Sequence, residues 1–343
     1  MLPRQPSISA EEPAVAEAEP VAGEAPAPLD PTRTGSPTVL RLVIGTQLRR
    51  LREACGITRE AAGETIRASG AKISRLELGR VSFKERDITD LLALYGVTDP
   101  AEREAFVKLV REANTPGWWH RYSDVLPGWF EMYVRLEQAA STIHSYQVQF
   151  VPGLFQTEAY ARAVMATDVD GEPAAETDRR VTLRMTRQKL LTEPESPQIR
   201  VVLDEAALRR VFGSTQVMGE QLEHLAAHAD LPNVTLQVLP FDRGSRAAAA
   251  GPFTTLQFAE DDLPDIVYME QLTSAVYLDK RADVELYRAA MDRIVAAALT
   301  PAESRTLLAD QAAQLRLAGS PAAACESRSS RTAQGEFRRP SAR

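Results

Sequence analysis

Cysteine is almost absent: Cys55 and Cys325 are the only two in 343 residues. Two thiols cannot build a disulfide framework or a four-cysteine zinc site. Histidine is nearly as scarce, with four in the chain. His224 and His228 stand at i and i+4, which would set two imidazoles on one helical face. No third ligand accompanies them, so two solvent-facing histidines are the simpler reading and no metal is expected. No apolar run reaches the roughly eighteen residues of a membrane span, and the N-terminus has no apolar signal core. A cytosolic protein without membrane contact is expected. A glycine-rich phosphate loop, a GxGxxG after a strand and a nucleophile elbow are all missing. Asp204, Glu205 and Glu270 fall at strand ends, where catalytic carboxylates gather, but acidic residues collect there for other reasons. The expectation is a protein that is not an enzyme and carries no cofactor.

Positive charge is also short overall, at a net −7, which at first argues against a nucleic-acid partner. The deficit is unevenly spread. Residues 39–96 hold eleven Arg and Lys against seven Asp and Glu, a local +4 where contact with phosphate would be favoured. Within that segment residues 69–79 read Ser-Gly-Ala-Lys-Ile-Ser-Arg-Leu-Glu-Leu-Gly. Ser69 suits a helix N-cap, Ile73 and Leu76 form an apolar stripe three residues apart, and Gly79 suits a left-handed stop. Gly70, Ala71, Lys72 and Arg75 are left facing outward, giving a short helix with one buried edge and a small, basic outer face. A major groove admits that shape. The preceding residues supply a scaffold. Ile44, Leu48, Leu51 and Cys55 recur at helical spacing up to Gly56, and Thr58 caps a second helix through Ala61, Ala62, Thr65 and Ile66.

Three ordered blocks, Leu48-Arg49-Arg50-Leu51-Arg52, Gly56-Ile57-Thr58-Arg59 and Ile73-Ser74-Arg75-Leu76-Glu77-Leu78-Gly79-Arg80, resemble the XRE (lambda repressor-like) helix-turn-helix family over about sixty residues. The resemblance implies double-stranded DNA as the partner. It also implies a structural ion pair between Arg52 of the first helix and Glu77 closing the recognition helix. Two departures stand out: Arg67 occupies the position where the family's turn usually has glycine, and Gly70-Ala71 replace longer polar residues often used to read bases. Base reading is therefore expected from Arg75 and Lys72, with Ala71 and Gly70 lining the contact. Arg59, Ser69, Arg80 and Lys84 are expected over phosphate.

Residues 1–38 are rich in Pro, Ala and Glu without apolar periodicity, and residues 318–343 are rich in Ser, Ala and Arg; both read as disordered tails. Between them lie a DNA-binding unit, 39–115, and a larger unit, 116–317. The first is closed by a helix over 84–95 and by another opening at Asp99-Pro100. The second begins with all three tryptophans, Tyr122, Phe130 and Tyr133 in 118–133, an aromatic cluster better suited to a core than to a ligand cage. Strands are expected over 143–150, 199–204, 234–239, 253–258 and 266–270. Helices are expected over 134–140, 157–165, 181–191, 205–211, 217–229, 282–299 and 301–317. The pattern is that of an α/β or α+β domain with a mixed sheet. Gly117-Trp118-Trp119, Leu126-Pro127-Gly128-Trp129-Phe130 and Phe150-Val151-Pro152-Gly153-Leu154 are similar to the uncharacterised domain that follows this helix-turn-helix in many bacterial regulators. An excess of arginine over lysine, with abundant alanine, fits a high-GC bacterial genome. Three functions are compatible: a DNA-binding regulator whose large unit dimerises and senses, an antitoxin-like protein holding a small protein encoded nearby, and, least favoured, an enzyme with a DNA-targeting module. A homodimer is expected, because one such unit reads a single half-site.

Overall fold

The computed structural model describes residues 36–166, 173–243, 246–260 and 263–319. Both expected tails, and Cys325, fall outside the described residues apart from a few positions at their inner ends. Five helices open the chain: α1 (Pro37–Ala54), α2 (Arg59–Thr65), α3 (Gly70–Glu77), α4 (Glu85–Leu94) and α5 (Pro100–Ala113). Their starts follow from local chemistry. Ser36, Thr58, Ser69 and Asp99 each accept a backbone N–H of the first turn, and Pro37 and Pro100 occupy positions where no N–H is needed. Gly79 ends α3 at φ +62°, the left-handed conformation that a β-carbon disfavours.

Ile44, Leu48, Ile73, Leu76, Ile88, Leu92 and Phe106 close the core of this bundle. At Gly45 the approach is so tight that a β-carbon would sit 2.5 Å from the Glu77 carbonyl oxygen, so only glycine lets α1 cross the end of α3. The turn between α2 and α3 carries the single non-glycine residue with positive φ among those described, Arg67 at 54°. A side chain there costs about 1–2 kcal/mol, and the turn keeps its shape despite that cost.

The chain then runs through a 3-10 turn (Trp118–Tyr122) into α6 (Gly128–Ala139), β1 (Thr142–Gln147), α7 (Glu158–Met165), α8 (Ala174–Arg187) and β2 (Gln198–Asp204). It continues with α9 (Glu205–Arg209), α10 (Thr215–His228), β3 (Val234–Leu239), β4 (Phe253–Gln257), β5 (Ile266–Glu270), β6 (Ala275–Leu278), α11 (Arg281–Ala297) and α12 (Pro301–Gly319). The sheet order is β3-β2-β1-β4-β5-β6. β1, β2 and β3 run parallel through helical crossovers, whereas β4, β5 and β6 meander antiparallel beside β1. The mixed sheet is thus an α/β half joined to a β-meander at its central strand.

One face of the sheet, with Ile143, Val201, Leu236 and Leu256, belongs to the main core shared with α10 and α12, while Tyr146, Val202, Phe253 and Val267 pack under α11. The β3 edge is covered: Ser304 Oγ accepts from Val238 N at 2.9 Å, and Leu299 N donates to the Val238 carbonyl at 2.8 Å. Boundaries shift at several elements (β1 ends at Gln147 rather than 150, and α6 begins at Gly128 rather than 134), and two larger features differ from the sequence expectation. β6 was not anticipated, because four residues show too little alternation to register as a strand. α8 starts seven residues before 181, since its first two turns are polar and leave no apolar stripe to read. Most of the aromatic cluster is core: Trp119 and Tyr122 are buried with Val125, Leu126, Val134 and Leu183, Trp118 and Phe130 pack partly buried against them, Tyr133 joins the main core, and Trp129 is half-buried outside these clusters.

Candidate nucleic-acid interface

The recognition helix is fastened from behind. Ile73, Leu76 and Glu77 point into the bundle, while Ala71 and Arg75 are exposed and Gly70 and Lys72 half-buried. Glu77 has a carboxylate only 2% exposed, and it is held by two arginines. Arg52 Nε donates to Oε1 and its Nη2 to Oε2 at 3.2 Å, while Arg52 Nη1 also reaches the Ile57 carbonyl at 2.8 Å. Arg59 Nε donates to the same Oε2 at 2.9 Å. The hydrogen bond to Glu77 raises the Arg52 pKa above its ordinary value, against the opposing effect of burial. The cluster ties α1, α2 and α3 together at one carboxylate, so the outer face of α3 is presented at a fixed angle.

On that face the residues divide. Arg75 is exposed, and among the described residues none forms a hydrogen bond or ion pair with its guanidinium. Lys72 is tethered: its Nζ lies 2.6 Å from Asp87 Oδ2 on α4. Ser69 spends its hydroxyl on the Lys72 N–H at 3.4 Å, and Gly70 faces the Glu60 side chain. Lys84 is exposed at the N-cap of α4, where it makes no capping bond. Arg59, expected over phosphate, is 38% exposed and shared with Glu77. Arg80, also expected over phosphate, lies instead against β6. Its guanidinium sits 5.1 Å from the Tyr277 ring centroid, and Nη2 donates to the Tyr277 carbonyl at 3.4 Å. Burial lowers the Arg80 pKa there, partly offset by Asp279 and Tyr277. Sequence reasoning could not find Tyr277 as a partner, since 197 positions separate the two residues.

The two units make further contacts. Arg49 Nη1 lies 3.5 Å from Asp279, and one core cluster runs from α1 through α6 into the sheet. Arg41 is buried against the Ala113 carbonyl at 2.7 Å, its pKa pushed down to about 10, first by burial and then by Arg135.

The other candidates have structural occupations. Asp204 caps α9 through Ala206 N at 2.9 Å and accepts from Tyr146 Oη at 3.0 Å. Glu205 is buried and accepts from Arg209 and from Phe241 N, and Glu270 accepts from Tyr268 Oη at 2.9 Å. His224 and His228 do share a helical face, with rings 4.0 Å apart, but they are half-buried rather than solvent-facing. Burial, followed by His228, lowers the His224 pKa to about 4. Among the described residues no group of three His, Cys, Asp or Glu side chains could hold a metal ion. No helix among them is long and apolar enough to cross a membrane.

Comparison with known families matches residues 43–106 to a helix-turn-helix domain and residues 130–310 to a domain of unknown function, DUF5753. The second match spans more than half of the chain. No curated protein and no solved structure matches it.

Proposed function

We propose, for a chain that belongs to the DUF5753 family and carries a DNA-binding helix-turn-helix domain, the role of a sequence-specific transcriptional regulator in the bacterial cytoplasm. In this reading α3 enters the major groove of double-stranded DNA. Arg75 reads a guanine through O6 and N7, and Lys72 joins it when phosphate or base draws it from Asp87. Arg59, Lys84 and the backbone at Ser69 contact phosphate. The larger unit dimerises and senses, so that two half-sites are read with two-fold symmetry. It performs no catalysis, consistent with Asp204, Glu205 and Glu270 being engaged in caps and hydrogen bonds.

The observation that carries this reading is the free guanidinium of Arg75 on a helix whose opposite side is locked by the Arg52–Glu77–Arg59 cluster. Selection of duplexes from a random pool by the full-length protein tests it. The expected outcome is enrichment of an inverted repeat containing a guanine in each half, bound with an affinity that falls steeply with salt. Sedimentation should show a dimer on that DNA. Failure to enrich any motif would overturn the proposal. Stoichiometric recovery of a small protein encoded nearby, without DNA binding, would favour the antitoxin-like alternative.

A further inference from the structure

The sheet face beneath α11 changes character along the strands. Toward the carboxyl ends of β1 and β2 it is apolar, with Tyr146, Val202 and Phe253 packed under Val284, Met291 and Ile294. Two residues earlier on β1 it becomes polar. His144 is paired with Arg200 on β2 and with Thr255 on β4, and Arg200 is paired with Thr235 on β3. Directly paired residues share a face, so Thr235, Arg200, His144 and Thr255 form one row across four strands spaced about 4.8 Å apart. All but Thr255 are half-buried and so reach solvent.

Two polar atoms in this row lack partners: Arg200 Nε and Thr255 Oγ1 are buried without a hydrogen bond. The Arg200 case is distinct within the large unit. Arg135 and Arg180 also leave Nε unused, yet each bonds a glutamate one turn away through Nη2. Arg184 bonds Gln156, and Arg187 bonds Glu137. No hydrogen bond or ion pair holds the Arg200 side chain among the described residues. A half-buried guanidinium without a counter-charge is unfavourable unless a charge arrives from outside. The surrounding groups do not provide one. Arg288 of α11 forms an ion pair with Asp265, which also accepts from Gln257 Nε2 at 3.2 Å. Asp292 of α11 and Asp265 both favour the charged form of His144, but neither forms an ion pair with Arg200. Burial, then the positive charge of Arg200, lowers the His144 pKa, so at neutral pH its ring offers one donor and one acceptor.

We propose that this row is a binding site for a small carboxylate-bearing molecule, with Arg200 holding the carboxylate and the Thr255 hydroxyl and the His144 ring completing the contact. A single guanidinium without an ion-pair partner, with the Asp265 and Asp292 carboxylates nearby, matches a monoanion better than a phosphate dianion. The site would give the sensing role of the large unit a ligand class. It rests on that reading only for its consequence, and binding is measured without DNA, so the two can fail separately.

The test follows histidine ring signals by NMR in the full-length protein, which has four histidines. Sodium acetate is the probe, with chloride as the ionic-strength control and inorganic phosphate as the competing arm. Acetate should move the His144 signal saturably and raise its titration midpoint, because a bound negative charge favours the protonated ring. His120 should follow chloride alone. Arg200→Met should abolish the response while leaving the melting temperature of the free protein unchanged or raised, since it removes an unpaired charge. Thr255→Val, which removes only one hydroxyl, should weaken the response. The proposal is overturned if acetate does no more than chloride, if phosphate saturates the site in preference to acetate, or if the Arg200→Met protein responds like the parent. A large drop in melting temperature for Arg200→Met would assign Arg200 a structural role and overturn it as well.

Discussion

The helix-turn-helix and the sheet unit each bury an arginine–glutamate pair, and the two pairs are enclosed differently. Glu77 is shared between Arg52 and Arg59, and Arg52 has fallback acceptors in the Ile57 carbonyl at 2.8 Å and Glu53 at 3.2 Å. The network opens to solvent through Arg59. Glu137, in contrast, has Arg187 as its one ion-pair partner among the described residues, in a bidentate arrangement at 2.9 and 2.7 Å, with the Tyr133 hydroxyl beside the same carboxylate. The Arg187 guanidinium lies 5.0 Å from the Phe130 ring centroid and 5.5 Å from that of Tyr133. Burial opposes its charge most strongly of any single influence, but Glu137, with Tyr133 and Glu270, outweighs it and the Arg187 pKa is raised. One pair is a hub with alternatives, and the other is a closed lock. Removing a carboxylate should therefore have unequal consequences.

The largest effect is expected at the lock. Glu137→Ala strands a buried cation among aromatic rings and should cost about 3–5 kcal/mol, seen as a steep fall in the melting temperature of the full-length protein. Replacing both partners together, Glu137→Met with Arg187→Met, should recover much of the loss. Glu77→Ala comes next. Because Arg52 retains two acceptors and Arg59 can turn to water, about 2–3 kcal/mol is expected. Equal losses at Glu77 and Glu137 in parallel melts would erase the distinction between hub and lock.

Arg75→Ala should leave the melt untouched and instead remove about 1–3 kcal/mol of discrimination between the selected operator and a guanine-substituted duplex. Retained discrimination would move base reading away from Arg75. The smallest effect belongs to Arg59→Ala, which should weaken binding to both duplexes alike and reduce the magnitude of the log-log salt slope by about 0.9. Because Arg59 also serves Glu77, a slight loss of melting temperature should accompany it, and a salt slope equal to the parent's would confine Arg59 to the hub.

Much of what depends on neighbours along the chain is legible in the sequence, although β6 and the polar start of α8 are not. Helix starts at Thr58, Ser69 and Asp99 and the stop at Gly79 are written within a few residues of the feature they create. The strands at Val234–Leu239 and Ile266–Glu270 stand out through β-branched and apolar density. What remained hidden is the choice of partner for each arginine. Periodicity places Arg80 and Lys72 on an outer surface but does not encode that Tyr277 or Asp87 will meet them there. Glu137 and Arg187 lie 50 positions apart, in helices whose patterns show only that both are amphipathic. Arg59 is expected over phosphate, and its bond to Glu77 depends on how α2 meets α3, which spacing does not specify.

The seat of Arg80 on β6 has a mechanical meaning. Three positions after the recognition helix ends, the chain is clasped to Tyr277, whose own hydroxyl is bonded to the Trp129 carbonyl at 2.5 Å. A reading head on a slack tether would forgive operators with variably separated halves, because wandering absorbs the error. A head clamped to the body behaves like the jaw of a caliper. In a dimer of such bodies, one base pair added between half-sites displaces the second site by about 3.4 Å along the axis and also rotates it around the duplex. A caliper of this stiffness can follow that change only by twisting the DNA or opening the clasp, so the gap between half-sites becomes as much a part of the recognised message as the bases themselves.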